Sequence, residues 1–249
     1  MEKVEKVNPY RNDTRSKDRQ VADMFDAIAP AYDFMNAAMS FGMDRLWQRR
    51  LVEAAAAGNP DSVLDLATGT GEVALALARR LPQARISGLD ISDGMLEQAR
   101  AKKGAEGIEF ICADGLSTGL PENTFDAITI AYGVRNYADL AAGLAEMHRI
   151  LRPGGKVCVL ELSEPANPIL RALYKVYTRT LVPLVGRMVS GDSRAYTYLP
   201  ESIAACPSRG AMTALMGRAG FGDCTFRGMT FGACTLYTAK KIHHNDPRP

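Results

Sequence analysis

Between residues 62 and 163 the period of the hydrophobic positions switches repeatedly. SVLDLA (62–67), ARISGLD (84–90), IEFICAD (108–114), FDAITIAYG (125–133) and GKVCVLELS (155–163) carry aliphatic residues on both parities. Such runs suit strands covered on both faces, as in a parallel sheet. Between them GEVALALARRL, DGMLEQARAKK and LAAGLAEMHRIL place apolar residues at helical spacing. Strands alternating with helices predict right-handed crossovers and an α/β, doubly wound, mostly parallel sheet. Ahead of this core (62–163), VADMFDAIAPAYDFMN and MDRLWQRRLVEAAAAG read as two helices of a cap over about 20–58, the second stopped by Gly58, Asn59 and Pro60. After the fifth strand, EPANPILRALYKVYTRTLVPLVGRM predicts a helical insertion, interrupted at Pro183. ESIAACPSRGAMTALMGRAGF adds two short helices, and the insertion as a whole spans about 165–210. CTFRGMTFGACTLYTAKK reads as a hairpin around Gly232, over about 223–241, so one of seven strands runs antiparallel. Residues 242–249 read as a disordered tail on a single domain, 1–249.

Composition narrows the partners. The net charge is +2, which gives no overall pull toward nucleic acid or anionic lipid. Five cysteines with no C-x-x-C pair read as buried thiols in a reducing compartment, not as disulfides or a zinc site. No metal is expected; His243 and His244 fall in the tail. The polar N-terminus shows no signal-peptide core, and no window approaches the ~20 apolar residues of a membrane span. The expectation is a cytoplasmic protein, at most peripheral to the inner face of the membrane, with a homodimer left open.

The candidate chemistry begins at LDLATGTGEVALALA. Gly69, Thr70 and Gly71 follow the first strand directly, and Gly69, Gly71 and Ala74 satisfy the loose dinucleotide pattern with Asp90 about twenty residues on. A nicotinamide oxidoreductase is therefore one reading. Against it, Asp65 and Glu72 would face a pyrophosphate with like charge. The same carboxylates would welcome the ammonium of S-adenosylmethionine, which has no phosphate. Asp90, followed by Ile91, can accept from ribose hydroxyls of either ligand. Asp114, with Gly115, either reads an adenine edge or merely forms a turn. All three aspartates end successive strands, where sheets of this kind bind ligands.

D-x-A-T-G-T-G, L-D-I-S, A-D-G and L-R-P-G-G together resemble the class I S-adenosylmethionine-dependent methyltransferases, which implies a Rossmann-like fold ending in an antiparallel strand. YDFMNAAMSFGMDRLW (32–47) and RILRPGGKVCVLELS (149–163) narrow the likeness to the ubiquinone/menaquinone biosynthesis C-methyltransferase family. YTYLPESIAACPSR and FGACTLYTAKK extend it over about 20–241. Asp44 and Arg152 depart from the family, where histidine and lysine are usual, and neither enters the chemistry expected here.

The resemblance implies methyl transfer to a ring carbon of a polyprenylated quinol: 2-demethylmenaquinol is favoured, the ubiquinone-pathway benzoquinol being the alternative. Other small-molecule methyl acceptors stay open. Cofactor contacts would fall on Thr70, Asp90, Asp114, Gly115 and the backbone of Ala131. In ITIAYGVRN the fourth strand then presents Arg135 and Asn136 to the acceptor. Arg135, a permanent cation, could stabilise the phenolate that carbon methylation needs; the plainer reading is an ion pair with Glu161 or Asp139. Asn136 could hold the same oxygen or orient a water, and Tyr32 could close over the ring. No histidine lies in this region, so proton removal is expected to pass through water. In 168–189, Arg171, Lys175 and Arg179 share one helical face. A membrane-surface helix, a lid and a helix packed with its cations in water are all compatible with that.

Overall fold

The computed structural model describes residues 2–10, 12–181 and 193–242. Seven strands form one sheet: β1 (Ser62–Leu66), β2 (Arg85–Asp90), β3 (Glu109–Cys112), β4 (Phe125–Ala131), β5 (Leu151–Leu162), β6 (Phe221–Met229) and β7 (Cys234–Lys241). Their order is 3-2-1-4-5-7-6, and β7 is antiparallel to both neighbours, with Leu160 opposite Leu236 and Leu236 opposite Arg227. All five residues of β1 are buried. Its parities divide as a two-faced strand requires: Leu64 and Leu66 join one core, Val63 the other.

Nine helices are described. α1 (Lys17–Ile28), α2 (Tyr32–Ser40) and α3 (Met43–Ala56) precede the sheet. α4 (Glu72–Arg80), α5 (Asp93–Arg100) and α6 (Leu140–Ile150) are crossovers, and α7 (Pro168–Val176), α8 (Ser193–Ala205) and α9 (Gly210–Arg218) follow β5. α6 and α9 cover one face of the sheet; α3 and α4 cover the other.

Two expectations for the cap change. The first predicted helix is interrupted by a 3-10 turn, Ala29–Ala31, because Pro30 cannot donate to the α-helical ladder. The second, α3, belongs to the sheet's own helical layer through Trp47, Leu51, Val52 and Ala55. The cap proper is α1 and α2. Polar links help to hold it down: Asp26 accepts from Ser92 Oγ (2.5 Å) and the Gly94 N–H (3.0 Å), and Lys102 Nζ joins Asp33 (2.6 Å) to Glu72 (2.5 Å).

The cysteines also differ from expectation. Cys158, Cys206 and Cys234 are buried, but Cys112 is exposed at the end of edge strand β3 and Cys224 is half-buried. The predicted break at Pro183 and the tail with His243 and His244 lie outside the described residues.

Candidate active site

The strand order reverses between β1 and β4, and in open α/β sheets ligands bind at such a switch point beyond the carboxyl ends of the strands. A cleft lies there, with about 640 Å³ of empty space that includes open solvent. Ala67 and Gly69 contribute from the β1 loop, Asp90 and Ile91 from the end of β2, and Asp114 and Gly115 from the segment after β3. Ala131 at the end of β4 and Tyr132, Gly133 and Asn136 just after it close the site, and the cap supplies Asp18, Phe25 and Tyr32.

The glycines have conformational reasons to be there. Gly69 (φ 55°) and Gly71 (φ 77°) both lie in the left-handed region. At Gly71 a Cβ would also sit 3.0 Å from the Ala99 side chain.

Each carboxylate has a distinct environment. Asp90 is buried and accepts from the N–H groups of Gly69 (2.7 Å) and Ser92 (2.9 Å). Burial raises its pKa and those bonds oppose the rise. Asp114 accepts from the Leu116 N–H at 2.9 Å and lies close enough to Asp18 to help burial push that carboxyl upward. Asp65 lines a smaller adjoining cavity with Gly69, Thr70 and Glu72. It accepts from Thr68 Oγ1 (2.6 Å) and Thr129 Oγ1 (2.7 Å), and burial pushes it up to about 6.

Two features shift the sequence argument. Glu72 is neutralised by Lys102, so the charge case against a pyrophosphate rests on Asp65 and on the Asp18, Asp90 and Asp114 group. Thr70 donates its hydroxyl to Asp33 of α2 (2.5 Å), making it a link between cap and glycine loop.

A second, mainly apolar chamber of about 620 Å³ adjoins the first. Met39, Trp47, Leu162, Tyr174, Tyr177 and Leu199 line it, and its polar members include Asn36, Ser40, Asp44, Tyr132, Arg135 and Thr178. Tyr132 belongs to both cavities.

Arg135 is paired to Glu161, Nη1 to Oε1 at 2.8 Å, and both are buried. Nη1 also donates to the Tyr132 carbonyl, and Nε has no partner. The plainer reading of Arg135 is thus present in the structure, and the guanidinium still lines the chamber. Asp139, the other partner considered, instead caps α6 through the Ala142 N–H. Asn136 donates to the Tyr132 carbonyl (3.2 Å) and accepts from Tyr198 Oη (3.1 Å), so both ends of its carboxamide are engaged. Tyr32 lines both cavities beside the glycine loop, and burial raises its pKa.

Sequence reasoning missed Asp18, Lys102, Tyr132 and Tyr137. The first two reach the site only through long-range packing. Tyr132 lies three residues before Arg135, next to Gly133, but its left-handed backbone (φ 58°) leaves no trace in sequence. Tyr137 has a buried hydroxyl without a partner, and a Cβ at Gly115 would stand 2.7 Å from it.

A family model described as the ubiE/COQ5 methyltransferase family matches residues 13–241. The chain belongs to this family. Among relatives of this ubiE/COQ5 chain, the demethylmenaquinone methyltransferase of Bacteroides fragilis is 42% identical over 95% of the chain and 98% of the relative. The ubiquinone/menaquinone biosynthesis C-methyltransferase of Geobacter sulfurreducens is 41% identical over 96% and 94%. In fold, the ubiE/COQ5 chain resembles a Thermotoga maritima protein solved as an S-adenosylmethionine-dependent methyltransferase, with TM-score 0.62, 18% identity, and 88% of this chain and 99% of that one covered.

Proposed function

We propose that the protein transfers the methyl group of S-adenosylmethionine to a ring carbon of 2-demethylmenaquinol, giving menaquinol. The observation that carries this is the pair of cavities meeting at Tyr132, one rich in carboxylates and the other apolar with a buried guanidinium. Membership of the family and the names of full-length relatives support the reaction class and the naphthoquinol acceptor.

The residues fit the donor. Asp90, with two N–H bonds already made, keeps lone pairs for a ribose diol; Asp114 and the Gly115 backbone suit an adenine edge. Ile91, Phe25 and Met95 supply apolar contact, and Asp65 beside Gly69 and Ala131 suits a ligand ammonium. When bound, the donor supplies an electrophilic methyl on a sulfonium. The chain excludes water with its cap and aligns the acceptor carbon, an effect that can contribute ~7–11 kcal/mol. Arg135 stabilises the developing phenolate from the chamber side, Tyr32 closes over the ring, and Asn136 holds the Tyr132 carbonyl and Tyr198 in place.

The finer proposal concerns the prenyl tail and the membrane. No helix among the described residues is long and apolar enough to cross a bilayer. On α7, however, Ile169, Leu173 and Val176 follow helical spacing and are 72%, 63% and 62% exposed. Phe41 is 77% exposed with its ring 5.9 Å from that of Tyr177, which lines the chamber. This apolar rim meets the bilayer surface and admits the quinol from it. The cations on the other side of α7 are engaged within the chain: Arg171 donates to the Pro165 and Ala166 carbonyls, and Lys175 lies 3.4 Å from Glu164. Incubation with S-adenosylmethionine and the two demethylated quinols side by side tests the acceptor. Methylated naphthoquinol as the main product is expected; methylated benzoquinol alone would transfer the assignment to the ubiquinone pathway.

A further inference from the structure

Among the described residues, one acidic side chain, Asp44, lines the apolar chamber. It is buried in the first turn of α3. Ser40 Oγ donates to Oδ1 at 2.8 Å, and the Asp44 N–H donates back to Ser40 Oγ at 3.2 Å. Neither bond uses Oδ2. Tyr132 and Arg135 also line the chamber; the Tyr132 hydroxyl and Arg135 Nε, both covered by protein atoms, have no hydrogen-bond partner. Burial, with Cys234 and Asp44 nearby, keeps the Tyr132 phenol protonated and so a donor. The chamber is thus lined by one carboxylate and by two side chains that each hold an unspent donor, the groups a hydroxyl losing its proton requires once a ligand opens access to them.

We propose that Asp44 is the base that takes the proton from the acceptor's hydroxyl while Tyr132 and Arg135 receive the resulting phenolate oxygen. The proposal rests on the quinol reading above. The O–H bond breaks, its proton goes to Asp44 Oδ2, and the electron pair stays on oxygen and enters the ring. The ring carbon then bonds to the methyl as the methyl–sulfur bond breaks, its pair remaining on sulfur as a neutral thioether. The methylated carbon loses its hydrogen as a proton to restore aromaticity, and Asp44 returns its proton to the ring oxygen, so one proton is released overall. This gives Asp44 a part in the chemistry that the sequence comparison did not, and replaces the expectation of removal by water alone.

The test uses the full chain, a short-chain demethylmenaquinol, and Asp44→Asn and Asp44→His variants. Asparagine keeps the Ser40 bond but is no base. Asp44→Asn should lower kcat about 100-fold or more, with S-adenosylmethionine affinity and Tm close to wild type. Asp44→His should recover much of the rate and lose it again below about pH 6.5, where imidazole protonates. Calorimetry without donor provides a readout independent of turnover. Wild type should bind a prenylated naphthol roughly tenfold tighter than its methyl ether, and Asp44→Leu should erase that preference. Turnover of Asp44→Asn within about threefold of wild type, or an unchanged naphthol preference in Asp44→Leu, would overturn the assignment. Wild-type inactivity toward the quinol with the naphthol preference intact would count against the substrate reading and leave Asp44 as the chamber's hydroxyl acceptor.

Discussion

At Asp65, two threonine hydroxyls and a buried setting hold a carboxyl that ionises only at about pH 6. A bound cation favours the ionised form, so donor affinity should be full above about pH 6 and fall as Asp65 protonates below it. Titration calorimetry from pH 7.5 to 5 measures this; a flat profile would remove Asp65 from the ammonium site. Arg135 carries a different liability. Its partner Glu161 is only 2% exposed, so Arg135→Ala strands a buried charge and should cost about 3–5 kcal/mol in a denaturant melt. Loss of turnover in that variant alone would therefore mix stability with chemistry. The double variant Arg135→Met/Glu161→Gln should regain most of the stability and stay catalytically weak. Recovery of turnover along with stability would reduce Arg135 to a structural role.

Among the elements, β1 through β5 could be anticipated because strands covered on both faces are apolar on both parities, and the crossovers between them keep a helical period. The hairpin was visible through its glycine turn. The division of labour among the first three helices was not: only packing shows that Trp47 and Leu51 of α3 serve the sheet. α7 was anticipated as amphipathic, but which side meets solvent depends on partners such as Glu164 and the Pro165 carbonyl. With its apolar side outward, Leu173→Asp and Phe41→Asp should each reduce flotation with liposomes while methylation of a short-chain, soluble quinol persists. Unchanged flotation of the paired variant would remove the bilayer contact.

For the molecule as a whole, the sequence placed Asp90, Asp114 and the glycine loop correctly at the carboxyl ends of neighbouring strands, because motif and strand pattern coincide there. Tyr132, Asp18 and the Asp44 chamber depend on segments distant in the chain, which no local period encodes. Their meeting makes two compartments out of one strand end, a carboxylate-lined cavity and an apolar chamber, which the proposed function assigns to the charged donor and to the ring with its tail. The most direct measurement of that arrangement is a single turnover with S-adenosylmethionine bearing a deuterated methyl, followed by mass and carbon NMR analysis of the recovered quinone. The deuterated methyl should appear intact on a ring carbon of the naphthoquinone; label on oxygen, or none transferred while the donor is bound, would contradict it.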